Sequence, residues 1–208
     1  QCQSQVQFGG VGSIHLDYDL APFVQMSFAK HFKDGLKWVS DASEEYINSL
    51  PKKISIENKE AQTFSKAYKY AIEMLESEGK QAAQGLFHNL NTLESRQGSQ
   101  VPFTSINLGR DTSPEGRLVI KWIMEASIDG IGEHHLTSIF PISIFQYKNG
   151  VNAKIGDKNY DMKQLALKSM SKRIYPNWVN GNWSQFHEDE NNPDTFGSTM
   201  GKCKLQLI

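Results

Sequence analysis

Cys2 and Cys203 carry the two thiols of the chain. A thiol has a weak S–H bond and can pass a hydrogen atom, which carboxylates and hydroxyls do not do under mild conditions. On residue type alone, a lone cysteine is more often a small buried hydrophobe, so reactivity has to be argued from its surroundings. Two cysteines without a Cys-x-x-Cys spacing exclude a self-contained cysteine zinc site and a disulfide scaffold. A second grouping is Ser95, Arg96, Gly98, Ser99 and Gln100. A glycine flanked by these donors suits either a loop offering N–H groups and a guanidinium to phosphate or a plain polar turn. Thr104, Ser105 and Asn107 follow on a short β-like run, as polar groups of an enclosed face or of a half-solvated one.

Other polar clusters read more simply. His134 and His135 are adjacent, so on a strand they point opposite ways, and no carboxylate is spaced to join them on a metal. His187-Glu188-Asp189-Glu190 with Asp194 offers hard ligands but lacks the glycine and spacing of a calcium loop, and reads as a solvated loop. Trp178, Trp183 and Phe186 could stack a base; packing of a loop is the simpler use. The sequence therefore assigns no metal site.

Hydrophobic periodicity supplies the frame. Leu20-Ala21-Pro22 reads as a helix start with proline in the first turn, followed by Phe23, Phe28, Phe32, Leu36 and Val39 up to a break at Leu50-Pro51. Phe64, Ala67, Tyr68, Ala71, Met74 and Leu75 form one apolar stripe of a second helix, with breaks expected near Gly79 and Gly85 before Leu93. Residues 101–108 read as a strand. Ser113 reads as the N-cap of a helix with Pro114 at its first position, carrying Leu118, Trp122, Ile123 and Ala126. Residues 136–145 suit a buried strand around Pro141, and residues 162–174 a helix. From Tyr175 the chain reads as an extended loop. Helices alternating with short apolar strands predict an α/β fold.

Composition narrows the rest. With 208 residues, 22 Lys+Arg against 23 Asp+Glu and 38% hydrophobic residues, the chain can bury a real core and carries no global field toward nucleic acid. No apolar run reaches the ~18 residues of a membrane span, and no signal-peptide pattern is present. A cytoplasmic location, with no nucleic-acid or membrane partner, is the expectation.

The stretch Ser95-Arg96-Gln97-Gly98-Ser99-Gln100-Val101-Pro102-Phe103-Thr104-Ser105-Ile106-Asn107-Leu108-Gly109, followed by Thr112-Ser113-Pro114-Glu115-Gly116-Arg117, resembles the glycyl-radical, class III anaerobic ribonucleoside-triphosphate reductases. Gln7-Phe8-Gly9-Gly10, Asp19-Leu20-Ala21-Pro22-Phe23, Phe140-Pro141-Ile142 and Ser198-Thr199-Met200-Gly201 agree with it, so residues 1–201 read as part of the catalytic barrel and 202–208 as a non-homologous tail. The resemblance implies a ten-stranded α/β barrel, of which this chain supplies about the first half. It also implies reduction of NTPs to dNTPs: a glycyl radical oxidises a loop cysteine, whose thiyl radical takes the 3′ hydrogen of the ribose, with formate as electron donor in one subgroup.

By position Cys2 matches the family's second, ribose-facing cysteine, and Met200 matches the methionine of its Met-Gly-Cys-Arg-Thr pattern. Here Gly201 is followed by Lys202, Cys203 and Lys204, one position late and without Arg-Thr. Cys203 is thus either a displaced thiyl site or a tail thiol without a role; loss of similarity at a single residue motivates the hypothesis of an exon end after Gly201. Ser95, Arg96, Gly98, Gln100, Thr104, Ser105 and Asn107 become substrate-facing by the same resemblance. The glycyl radical, the iron–sulfur and S-adenosylmethionine activase that installs it, and a cysteine zinc site are all expected outside this chain, which is then inactive alone. NTP substrates, dNTP and ATP effectors and a homodimer are the implied partners. A non-catalytic nucleotide-binding or dimerisation module, and another glycyl-radical enzyme, are the alternatives.

Overall fold

A computed structural model of the chain describes residues 10–40, 42–92, 103–183, 188–189 and 191–197. Four strands, β1 (Val11–Ser13), β2 (Thr104–Leu108), β3 (Ile142–Tyr147) and β4 (Asn177–Asn180), form one sheet in the order β1-β2-β3-β4, every neighbouring pair parallel. Parallel neighbours need crossovers. Helices α1 (Leu16–Val39), α2 (Glu44–Ser49), α3 (Lys59–Thr63) and α4 (Ser65–Thr92) link β1 to β2. α5 (Pro114–Asp129) links β2 to β3, and α6 (Tyr160–Lys172) links β3 to β4. The α/β class is as expected. Among the described residues the sheet is open, with β1 and β4 at its edges, so barrel closure is not part of what is seen.

The helices make one continuous layer: α1 packs along α4 and α5, and α5 on α6. Their apolar faces meet the side of the sheet bearing Ile106, Leu108, Phe145 and Trp178. Phe28 stacks on Phe32 at 6.0 Å, both virtually without solvent contact. Small residues let the backbones close in. Ala67 and Ala71 are fully buried, and a Cβ on Gly35 would lie 3.0 Å from the Ala67 carbonyl.

Several local expectations are revised. α1 starts at Leu16, so Pro22 lies inside the helix rather than in its first turn. Asp17 and Asp19 occupy that first turn, where acidic side chains complement the helix dipole. α4 runs unbroken through Gly79 and Gly85. Met74 leaves the predicted stripe and is exposed. β3 begins only after Pro141; Leu136 and Ile139 are exposed, and Leu136 pairs with Ile131 around a tight turn. β4 replaces part of the predicted loop, its Trp178 resting on Phe145 at 5.0 Å.

Gly79 shows why α4 tolerates a helix-weakening residue: a Cβ there would lie 2.5 Å from the Trp122 indole, whose Nε1 donates to Glu76 at 2.9 Å. Gly85 has no described atom within 4 Å of its would-be Cβ. The two glycines should therefore respond oppositely to alanine. Gly85→Ala is expected to stabilise by up to about 1 kcal/mol through helix propensity. Gly79→Ala gains the same propensity but overpacks, with a net loss of about 1–2 kcal/mol. Denaturant midpoints of the two variants check both signs.

Candidate active site

In parallel α/β sheets, functional groups gather at the carboxyl ends of the strands and on faces that helices leave free. Both features are occupied here. At the end of β2 the chain turns through Gly109, whose φ of +116° suits glycine. This turn aims three successive amides at one point. Asp17, at the start of α1, fills that point: its Oδ2 accepts the N–H groups of Gly109 (2.9 Å), Arg110 (3.0 Å) and Asp111 (3.0 Å). Such a nest of amides favours an anion, and the chain supplies its own. The carbonyl side of the turn is closed by amide side chains. Asn152 Nδ2 donates to the Gly109 carbonyl at 2.9 Å, and Asn159 Nδ2 to the Asp111 carbonyl at 2.8 Å.

The Asp111–Arg117 stretch is explained residue by residue. Asp111 accepts the Ser113 amide (2.8 Å) and hydroxyl (2.9 Å), while Ser113 Oγ caps α5 by accepting the Gly116 N–H at 3.1 Å. Any Cβ on Gly116 would collide with the Asp111 carboxylate. Buried Glu115 accepts the Ile56 N–H at 2.9 Å, tying the α2–α3 connection to α5. Arg117 pairs with Asp161 of α6 at 2.6 Å. These residues lock three elements together. Beside them lies a polar cleft of about 500 Å³ lined by Tyr18, Glu57, Thr112, Arg117 and Lys158.

Electrostatics follow from burial. Burial pushes the Asp17 carboxyl above the usual carboxylate range, against the pull of the amides, and the neighbouring Asp111 carboxylate adds to the rise. Asp111 is raised chiefly by burial as well. The Tyr18 phenol is pushed up to about 12, first by burial and then by Asp17.

A second knot joins the segment after β4 to three strand ends. Arg110 donates to Glu188 at 2.9 Å, both side chains only 5% exposed, and Lys148 lies 3.3 Å from the same carboxylate. The Arg110 guanidinium sits 3.5 Å above the Phe196 ring. His15 lies 2.9 Å from Asp194 and 3.1 Å from Asp19. Glu188 is thus no member of a solvated acidic loop. Burial alone would raise its carboxyl, but hydrogen bonds from the Gly197 amide, Arg110 and Lys148 hold it below the usual range.

The helix-free face carries the predicted strand polar groups. Register places Ser105 beside Gly12 and Ile142, and Asn107 beside Ile144, itself paired with Asn177, opposite the Ile106–Leu108 core face. Ser105, Asn107 and Gln146 are buried there. Asn107 Nδ2 donates to the Ser13 carbonyl at 2.8 Å, and the Ser105 hydroxyl, fully buried, has no hydrogen-bond partner among the described residues. Thr104 shares the face of Ile106 instead. Cys2, Ser95, Arg96, Gly98, Gln100, Met200 and Cys203 lie outside the described residues.

His135 occupies a turn at φ 50°, its Nδ1 2.8 Å from the Asp129 carbonyl, and Trp178 packs on the core. Among the described residues no group of three or more His, Cys, Asp or Glu side chains is arranged to hold a metal ion, and no helix is long and apolar enough to cross a membrane. Asp17, Asn152, Asn159 and the Arg110–Glu188 pair were not singled out by sequence. Asp17 could have been noticed as a carboxylate beside a matched motif; the asparagines leave no such trace.

A sequence profile described as anaerobic ribonucleoside-triphosphate reductase matches residues 1–208. The anaerobic ribonucleoside-triphosphate reductase of Haemophilus influenzae is 35% identical over 83% of this chain, that of Escherichia coli 32% over 96%, and that of Enterobacteria phage T4 33% over 83%. The chain belongs to the anaerobic ribonucleoside-triphosphate reductase family. It spans 21%, 28% and 24% of the length of those three relatives.

Asp17→Ala leaves three buried amides without an acceptor, at about 1–3 kcal/mol each before water relieves some of the loss; a destabilisation of about 4 kcal/mol is expected. Asp17→Asn keeps one carbonyl oxygen for the same donors and should lose about half as much, read from urea midpoints at neutral pH. Tyr18 gives a signed pH dependence. Its folded pKa of about 12 stands above the ordinary 10.0, so folding favours the neutral phenol. That contribution is complete below pH 10 and is lost as pH rises toward and through about 12. Tyr18→Phe should flatten the fall in stability across this alkaline window.

Proposed function

We propose that this chain forms part of the catalytic barrel of an anaerobic ribonucleoside-triphosphate reductase, which reduces NTPs to dNTPs by thiyl and glycyl radical chemistry with formate as reductant. The observation that carries the reading, beside family membership, is the sheet itself. Parallel strands in sequential order carry the described helices in one layer, and the face without a described helix is both buried and polar at Ser105, Asn107 and Gln146. A doubly wound sheet would cover both faces with helices. A barrel instead turns the free face inward, where a few fixed polar groups orient a substrate among apolar neighbours such as Ile142 and Ile144. We take β1–β4 as consecutive strands of the ten-stranded barrel.

In this reading the fully buried, unpartnered Ser105 hydroxyl and the Asn107 amide face the nucleotide, and the Ser95–Gln100 stretch, with Arg96, contributes to its phosphates. By the family pattern Cys2 is assigned to the ribose and Met200 to the radical-site motif, and Cys203 takes the thiyl role only if displacement of the motif by one residue is tolerated. Radical chemistry demands exclusion of water and side reactants from the reacting atoms. The Asp17 nest and the segment 188–197 close the strand ends, which serves that need. The glycyl radical and the zinc site lie on other parts of the polypeptide; an activase, dNTP and ATP effectors and a second subunit are the further partners, in the cytoplasm.

The test is anaerobic turnover of the full polypeptide carrying this chain, activated by its radical-generating partner and supplied with formate and an NTP. dNTP is expected from that polypeptide and none from residues 1–208 alone. Ser105→Ala and Asn107→Ala should each lower kcat/KM about tenfold, the worth of one buried hydrogen bond. NTP binding without reduction would favour a non-catalytic nucleotide-binding module instead.

A further inference from the structure

We propose that Glu188 is a positioning residue: it fixes the peptide of Gly197, from which the Ser198-Thr199-Met200-Gly201 stretch departs, against the carboxyl ends of β2 and β3. The catalytic consequence rests on the reductase reading above; the fixation itself does not.

Gly197 is held from both sides by side chains of other segments. Glu188 Oε1 accepts its N–H at 3.1 Å, and Gln146 Nε2 of β3 donates to its carbonyl at 3.3 Å. The other oxygen of Glu188 is committed to Arg110 at the end of β2 and Lys148 at the end of β3. One carboxylate thereby joins a backbone amide to two strand ends, and its side chain is 5% exposed, where charge-assisted bonds are screened least.

The residue before Gly197 is anchored through the same Arg110. Phe196 is buried, its ring under the Arg110 guanidinium and edge-on to Tyr18 at 5.8 Å. Between the two anchors the segment stiffens itself: Asn192 caps the turn at Pro193–Thr195, and the Asp189 N–H donates to Thr195 Oγ1 at 2.9 Å. These contacts hold the Gly197 peptide in a defined place at the ends of β2 and β3. Arg110 and Lys148 gain nothing from an empty partner position, so removal of Glu188 leaves two cations facing each other, and the piece loses its anchor.

The test uses Glu188→Ala, Glu188→Gln and Gln146→Ala. In residues 1–208, amide exchange at Gly197 should accelerate about tenfold in Glu188→Ala, less in Glu188→Gln, which keeps an acceptor, while Ile106 and Ile144 stay protected. In the activated full polypeptide, kcat should fall up to about a hundredfold with the KM for NTP unchanged, as for a misplaced reacting group. Gln146→Ala leaves the ion pairs intact and should move both readouts the same way by a smaller factor, which covers the case of a Glu188 variant that loses its core protection. Unchanged Gly197 exchange in Glu188→Ala overturns the fixation. Faster exchange with unchanged kcat, or a loss confined to KM, overturns the positioning role. A wild-type polypeptide that makes no dNTP defeats the reductase reading, while the exchange result still decides whether Glu188 holds Gly197.

Discussion

The carboxylate of Asp17, received by the amides of Gly109, Arg110 and Asp111, is the constraint on which the rest of the architecture hangs. It joins the first turn of α1 to the end of β2, 92 positions apart in sequence. Because a buried amide without an acceptor is costly, the three donors and the one acceptor specify each other. Once the turn is set, Asp111 is in place to accept Ser113, Ser113 to cap α5, and Gly116 to pass close to the Asp111 carboxylate. Asn152 and Asn159 close the carbonyl side from the β3–α6 connection. A turn that looks suited to a phosphate is thereby filled by the protein itself.

That face obeys a different balance. On the helix side, Phe28, Phe32, Leu36, Ile120 and Phe145 bury mainly apolar surface, with Ser143 as a buried hydroxyl among them. On the other side, Ser105, Asn107 and Gln146 are buried among Ile142 and Ile144, and the Ser105 hydroxyl has no partner among the described residues. A protein selected for stability alone would fill this face with aliphatic residues, since unsatisfied buried hydroxyls are destabilising. Polar groups retained on the face that the described helices leave uncovered suit a ligand surface, and the proposed nucleotide site rests on them. The segment 188–197, pinned by Glu188, Phe196 and His15, ties the same surface to the strand ends.

What was legible in the sequence was local. Ser113 followed by Pro114 marks a helix start because cap and first turn are made within four residues, and α5 begins there. The polar alternation of Ser105 and Asn107 was legible as a face, though not which face. β4 was not, since Asn177-Trp178-Val179-Asn180 has little strand character of its own and is held by pairing with β3. Pro22 suggested a helix start, but α1 starts earlier, beside Asp17, whose partners lie in the turn after β2. Glu188 read as solvent-facing because its neighbours in sequence are polar; its partner Arg110 is 78 positions away. Met74 fits a helical stripe by spacing, yet that stripe is narrower because α1 approaches through alanines and Gly35. Long-range pairing thus accounts for most of what sequence reading missed.

The most direct test of the central claim is an experimental structure of the full polypeptide with an NTP bound. The ribose is expected against the helix-free face of the sheet, with the Ser105 hydroxyl and Asn107 amide within hydrogen-bonding distance of the nucleotide and Asp17 still seated in its nest. A nucleotide bound in the polar cleft beside Tyr18 and Arg117, or displacing Asp17 from the amides of Gly109–Asp111, with Ser105 and Asn107 remote from it, would contradict the account.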